Sequence, residues 1–395
     1  MMKQRKTLYI VLCLIVGVCS LLSCVEEYEA DISAEDSNLL VVEGTICSAE
    51  MNKFYLSRTQ AINSSYIPRI EMGASVSVRG SDGSEYKAQA TEDCYSCWIN
   101  RLNPDIEYYL HIEADGEVYE SEPQKPLPTE GIADVRGVQY SSESSIDVLV
   151  TPDAPFQSNK TNYYSWTYDE TWEVHSDYTT RIFFDTELMK AVFKDNQFPE
   201  CGWKDATGST ITVGNSLSYG EQHIQRFKIY DIDCGNERIY HKYSGLVHQR
   251  AISKAEYEYE LARQQAGSEM GGLFTPLPSA LPTNIRCLTS NKHVIGFVGC
   301  SLNTNDYRFF LNAKDFSINR PPRKDDRIWD EDTSIADCLQ MVKEGKFLCE
   351  WQDKRMEPGG KLKTAWATER QLDVRYKGTY IQKPVFWPFE DDEDE

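Results

Sequence analysis

Residues 162–174, NYYSWTYDETWEV, alternate with a period of two. Tyr164, Trp166, Tyr168, Trp172 and Val174 share one side; Ser165, Thr167, Asp169, Thr171 and Glu173 share the other. A helix would scatter these side chains round its axis, whereas a strand sends them to opposite faces. The chain is therefore committed to a sheet with an aromatic face, and that face needs a second layer to cover it. An aromatic face also suits a ligand platform, but large apolar side chains most often fill a core, and a sandwich core is the expectation here.

The remaining pattern is of the same kind. Residues 39–46 (LLVVEGTI), 53–57, 74–79, 108–114 and 117–119 read as short strands, with Asp82-Gly83 and Asp115-Gly116 supplying hairpin turns. Pro123, Pro126 and Pro128 cannot continue a ladder and mark a boundary. The fold class expected is mainly β, with an immunoglobulin- or transthyretin-like sandwich over residues 39–128. A larger β-sandwich-type domain with a helical insertion follows over residues 129–389. Its strands are read at 132–139, 145–151, 162–174, 210–213 and 225–232, with 293–300 and 307–311 as neighbours. Residues 253–266 (SKAEYEYELARQQA) predict the clearest helix, capped by Ser253 with Glu256 completing a capping box and Gly267 ending it. Tyr257, Leu261 and Gln264 share one face of it. Residues 187–194 suggest a short helical insert and 334–343 a further helix. Residues 390–395, EDDEDE, are an acidic tail.

The N-terminus carries an address. Lys3-Gln4-Arg5-Lys6 precedes an apolar run that ends in Leu21-Leu22-Ser23-Cys24. A basic end, an apolar stretch and a small residue before cysteine form a bacterial lipoprotein signal, so residues 1–23 are read as a signal peptide and Cys24 as the lipidation site. The run is short for a spanning helix; the other reading is an uncleaved anchor. Residues 24–38 form an acidic tether, with Glu26, Glu27, Glu29 and Asp31 close to the cysteine. It suits either a solvated spacer or a tag for export to the cell surface.

Composition limits the partners. The whole chain has 41 basic and 62 acidic residues, and loss of the leader takes the basic count to 38 and the net charge to −24. Such a chain repels nucleic acid and anionic headgroups, so attachment to a bilayer falls to acyl chains on Cys24.

Nine cysteines remain after Cys24. In an oxidising compartment sequence neighbours suggest Cys201–Cys234, Cys287–Cys300 and Cys338–Cys349 as disulfides, although connectivity does not follow from spacing. Cys94-Tyr95-Ser96-Cys97 has redox spacing, but its flanks read as turn and strand, not as a helix start that would activate a thiol. Among the histidines, none sits in H-E-x-x-H, and the chain has no G-x-S-x-G elbow and no Walker motif. His241 and His248 are read as ordinary polar residues, not ligands. Asp325, Asp326, Asp330, Glu331 and Asp332 lack the oxygen spacing of a calcium loop. No catalytic residue, metal ligand or cofactor is assigned. A pair of carboxylates for glycoside hydrolysis would leave no local signature.

Several blocks in order resemble a known family. They are LVVEGTI over residues 40–46, Gly73-Ala74-Ser75-Val76-Ser77-Val78 before an Asp-Gly turn, Tyr108-Tyr109-Leu110-His111-Ile112, and Tyr119-Glu120-Ser121. YSGLVHQRAISKAEY over residues 243–257 follows, then Gly271-Gly272-Leu273-Phe274, Pro276, Pro278 and Asn284-Ile285. Val294-Ile295-Gly296-Phe297, Arg308 and Lys383-Pro384-Val385-Phe386-Trp387 close the pattern. The chain resembles domain-of-unknown-function family 4249, a group of Bacteroidota outer-membrane lipoproteins, from Cys24 to Pro388. It departs where the family often carries a Cys-x-x-Cys-like pair: here stands Leu372-Asp373-Val374-Arg375, with Cys338 and Cys349 upstream. Cys234 also looks like an addition.

The resemblance implies a lipid-anchored, surface-exposed outer-membrane protein that accompanies a TonB-dependent receptor and helps capture peptide or glycan. It carries no catalytic residues over. The expected function is non-catalytic nutrient binding; the alternatives are a structural or adhesion lipoprotein docked on an outer-membrane receptor, and an extracellular hydrolase without a local motif. Gly267 to Asn284 is the candidate contact segment for docking, against its simpler reading as a packed loop.

Overall fold

Nine strands come first in chain order: β1 Leu40–Ile46, β2 Glu50–Arg58, β3 Arg69–Ile70, β4 Ser75–Gly80, β5 Glu85–Lys87, β6 Gln89–Ala90, β7 Tyr95–Ile99, β8 Tyr108–Ala114 and β9 Glu117–Ser121. Nine more follow: β10 Ile132–Gln139, β11 Ile146–Pro152, β12 Tyr163–His175, β13 Ile182–Asp185, β14 Lys190–Phe193, β15 Cys201–Thr207, β16 Thr212–Asn215, β17 Phe227–Ile232 and β18 Lys242–Ala251. Helix α1 Lys254–Ser268 separates them from β19 Ile285–Cys287, β20 Val294–Cys300, β21 Asn305–Asn312 and β22 Ile328–Asp330. Helix α2 Ile335–Lys343, β23 Lys346–Asp353, β24 Leu362–Thr368 and the short α3 Glu369–Leu372 complete the order. The computed structural model describes residues 38–59, 69–153, 162–219, 223–268 and 281–388. Cys24, the signal and most of the acidic tether, Gly271 to Pro278 and the 390–395 tail lie outside the described residues.

The chain is mainly β, as the alternating patterns require. The first sandwich stacks a sheet of order β20-β1-β2-β7-β6 against one of order β19-β9-β8-β4-β5. Its core includes Val42, Phe54, Leu56, Val78, Tyr108, Leu110 and Tyr119. Ile285, Val294, Val298 and Cys300 belong to the same core, although they lie far beyond residue 128. A division of the chain at residue 128 therefore separates strands that share a sheet.

That finding corrects one expectation. Strands 293–300 and 307–311 are not neighbours: β20 runs parallel to β1, from Leu40 opposite Val294 to Ile46 opposite Cys300, while β21 pairs with β18 in another sheet. Gly296 makes the first pairing feasible. Its φ is +117°, and a Cβ there would meet the Val42 carbonyl oxygen at 1.9 Å.

The second sandwich faces β10-β11-β17 with β15-β12-β18-β21, and β16 also joins β12. Tyr164, Trp166, Trp172 and Val174 are buried in its core, so the aromatic face of β12 is core. Glu170 lies on that same face. Its carboxylate accepts from Arg238 Nη1 at 2.7 and 2.8 Å and from the Tyr243 hydroxyl at 2.8 Å. Paired in this way, a buried charge is tolerated in an aromatic interior.

A third, small core lies between β22-β24-β23, α2 and the β13–β14 hairpin, around Phe184, Cys338, Leu348, Leu362 and Trp366. Here residues 187–194 form no helix. Asp185 Oδ1 accepts from the amides of Glu187 and Leu188, and Met189 takes φ 54°, which turns β13 back as β14. Helix α2 does form, with Ser334 and Asp337 in a reciprocal capping box.

Helix α1 bridges the two sandwiches. Tyr257 meets Tyr163 and accepts from Asn215, while Tyr259 stacks on Phe297 of β20. Ser253 caps it through the Glu256 amide, but the expected reciprocal half is absent. The Glu256 carboxylate instead accepts from Arg250 Nη2 at 2.5 Å, and Arg250 Nη1 donates to Ser301. Arg250 and Glu256 are both largely shielded, at 16% and 5% side-chain exposure. Among the described residues no helix is long and apolar enough to cross a membrane.

Two substitutions test this junction by denaturant unfolding. Gly296→Ala is expected to lower stability by more than about 2 kcal/mol, since it combines a disfavoured φ with a backbone clash. Glu256→Ala, which strands a shielded guanidinium, is expected to cost roughly 3–5 kcal/mol. A change within experimental error for either would remove the junction from the account of stability.

Candidate functional site

A cavity of about 310 Å³ opens between the β13–β14 hairpin and the α2–β23 corner. Phe183, Phe184, Phe198, Phe347, Leu348 and Trp366 supply its apolar wall. Phe198 and Phe347 meet edge to face at 4.8 Å, and Phe184 leans on Trp366. Lys194, Asp195, Gln197 and Lys346 supply the polar groups. Lys194 Nζ lies 5.1 Å from the Phe183 ring centroid, a cation–π contact. The hairpin beside the cavity exposes Leu188, Met189 and Phe193, the last at 90%. Aromatic walls with a few polar groups suit binding of a small or extended ligand.

A second group of side chains gathers at the end of β12. His175 and Cys201 are directly opposed across the β12–β15 ladder, and Glu173 sits two positions back on the same face as His175. One Glu173 carboxylate oxygen, one His175 ring nitrogen and Cys201 Sγ all lie within 4.8 Å of one another. Glu173 and His175 Nε2 are in direct contact. The His241 ring stacks on His175, with centroids 3.8 Å apart and planes 10° from parallel. Burial opposes charge on Glu173, but the contacts from His175 and Cys201 prevail and hold its carboxyl below the ordinary value. Burial lowers His241 to about 4, helped by electrostatic repulsion from its neighbours His175, Arg320 and Lys377. His241 is therefore neutral at pH 7.

The family model described as Domain of unknown function (DUF4249) matches residues 25–306. The chain belongs to this family. No curated protein matches it. The matched span contains β12, β15 and His241, and so the whole Glu173–His175–Cys201 group. The α2, β23 and β24 side of the cavity lies beyond it.

The cysteines named from sequence have separate surroundings. Among the described residues none of the three suggested pairs is bridged. Cys201 lies beside Glu173 and His175, whereas Cys234 Sγ donates to the Ser144 carbonyl and accepts from Gln139. Cys287, at the end of β19, faces Glu117, Thr289 and Ser290; Cys300 is buried in the first core. Cys338 packs under α2 in the third core, and Cys349 sits on β23 with Sγ toward the Phe347 carbonyl. Burial raises Cys47 and Cys300 to about 12 and Cys97, Cys338 and Cys349 to about 11, so these thiols are protonated and unreactive at neutral pH. Cys94 and Cys97 lie in a turn and on β7, as their flanks suggested.

Other residues weighed from sequence do not converge. His248 sits between Asp306 and Asp169, away from the His241 stack. Asp325 bonds Arg327, Trp329 and Tyr178; Glu331 and Asp332 pair with Lys363 and Lys361. These carboxylates are satisfied by cations and donors. The cavity aromatics escaped the sequence reading because they come from four separate segments. The approach of His175 to Cys201 was equally hidden, since it depends on the register of β15 against β12.

His241 gives a pH prediction. Its folded value, about 4, lies below the unfolded value near 6.5. Between those values the unfolded chain binds more protons, so this group contributes stability that is present above about pH 6.5 and lost as pH falls toward 4. His241→Asn is expected to gain on the wild type as pH drops from 7 to 4.5 in thermal melts. A constant gap across that range would contradict the assignment.

Proposed function

We propose that this chain is a non-catalytic lipoprotein of the outer-membrane surface, held by acylated Cys24, that captures peptide or glycan for a TonB-dependent uptake receptor. The single observation that carries the binding half is the aromatic cavity of about 310 Å³ beside a hairpin that exposes Leu188, Met189 and Phe193. Apolar side chains left in water at the turn (Leu188, Met189) and at the open end of the ladder (Phe193) mark a contact surface. Flat aromatic walls stack on sugar rings or hold peptide side chains, and Lys194, Lys346 and Asp195 supply orientation. The anchoring half is supported by the leader pattern ending at Cys24 and by the acidic residues after it.

The test uses full-length protein in mild detergent, titrated calorimetrically with peptide and oligosaccharide mixtures. Binding heat is expected, and Phe347→Ala is expected to weaken it about tenfold or more with an unchanged circular-dichroism spectrum. No heat with any mixture, together with co-purification of a large outer-membrane barrel, would transfer the proposal to a docking scaffold. In cells, labelled palmitate is expected to enter the wild type and not Cys24→Ala, which should leave the membrane fraction.

A further inference from the structure

We propose that Glu173, His175 and Cys201 form a binding site for one divalent transition-metal ion, with zinc the best match. Nothing in the capture reading calls for this site.

The argument is geometric. Carboxylate, imidazole and thiol are each ordinary zinc ligands, and together they make a mixed O, N, S set. The three candidate ligand atoms already lie within 4.8 Å of one another. In a tetrahedral site with bonds near 2.0–2.3 Å, ligand atoms are roughly 3.3–3.8 Å apart. Reaching that spacing requires the direct Glu173–His175 contact to open around the ion, with all three donors already gathered. The backbone register does the rest: His175 and Cys201 are cross-strand partners, and Glu173 is the next residue on the same face.

The surroundings favour a metal over a simple ion pair. His241 stacks flat on His175 and fixes the plane of its ring, the part usually taken by an outer-sphere partner. Of the nearby cations, Lys377 is engaged by Asp177 at 2.6 Å and Arg320 lies over the Tyr240 ring. The His175 side chain is 44% exposed, so an ion can enter from solvent. A thiolate in the set disfavours calcium and magnesium, which take oxygen ligands. Three protein ligands leave a fourth position for water or an external donor.

Binding balances as follows. The Cys201 thiol proton leaves to solvent, and the proton that His175 Nε2 directs at Glu173 leaves to solvent or moves to Nδ1; the resulting thiolate, the Glu173 carboxylate and the freed Nε2 lone pair bind the ion. No redox change is involved.

Full-length protein in mild detergent, stripped of metal and kept reduced with a phosphine, is titrated with Zn²⁺ and separately with Co²⁺. One Zn²⁺ per chain is expected, and the Co²⁺ form is expected to show a thiolate-to-metal charge-transfer band in the near ultraviolet. Cys201→Ser should abolish that band, and His175→Asn should weaken binding about tenfold or more. His175 is the more exposed ligand, so its variant serves if Cys201→Ser fails to fold. His248→Asn should bind as the wild type does. Absence of stoichiometric binding, a cobalt spectrum without the thiolate band, or unchanged affinity in His175→Asn would each overturn the site.

Discussion

The parallel ladder between β1 and β20 is the constraint on which the rest of the molecule depends. It joins residues 40–46 to residues 294–300, so both strands must be in place before the first sandwich is closed. All of the second sandwich except β21, together with α1, is strung between them. Closing a loop of that length costs chain entropy before any contact repays it. The return on that cost is an apolar core that takes Val294 and Val298 from the far strand. Gly296 is the point of closest approach, and no side chain fits there. The Arg250–Glu256 pair and the Tyr259–Phe297 stack then fasten α1 across the same seam.

Local patterns in the chain were legible; distant pairings were not. The period of two over β12, the β10 span and the hairpin of β8 with β9 were all readable, because a strand's alternation and its turn residues are neighbours in sequence. The family could also be read from ordered blocks, and its model matches. The partner of β20 could not be read, because adjacency in sequence favoured β21 and only the Gly296 approach to Val42 selects β1. Residues 187–194 depart from a helix for a different reason. Leu188, Met189, Ala191 and Val192 carry no decisive period, and the outcome rests on one carboxylate, that of Asp185, bonding two amides.

Buried polar groups give the two sandwiches their definition. Glu170 would be a liability among Tyr164, Trp166 and Trp172 if it stood alone. Arg238, Tyr243 and, through Tyr243, Tyr230 satisfy it, so the aromatic face of β12 can pack in one arrangement with β18. Glu256 works differently: one oxygen meets Arg250, while Oε2 has no hydrogen-bond partner. An under-satisfied carboxylate at a seam makes the seam sensitive to loss of its one cation.

The two candidate sites differ in how the fold positions them. The cavity is assembled from a hairpin, a loop, a helix end and two strands, so its shape depends on the third core holding these pieces together. The Glu173, His175 and Cys201 group needs only one antiparallel ladder in register, and that ladder is continuous from Asp169 opposite Thr207 to His175 opposite Cys201. A ladder fixes spacing more tightly than loops do, because each backbone bond constrains the next. A ligand site that must adapt to varied cargo suits the first construction; an ion that demands fixed donor distances suits the second.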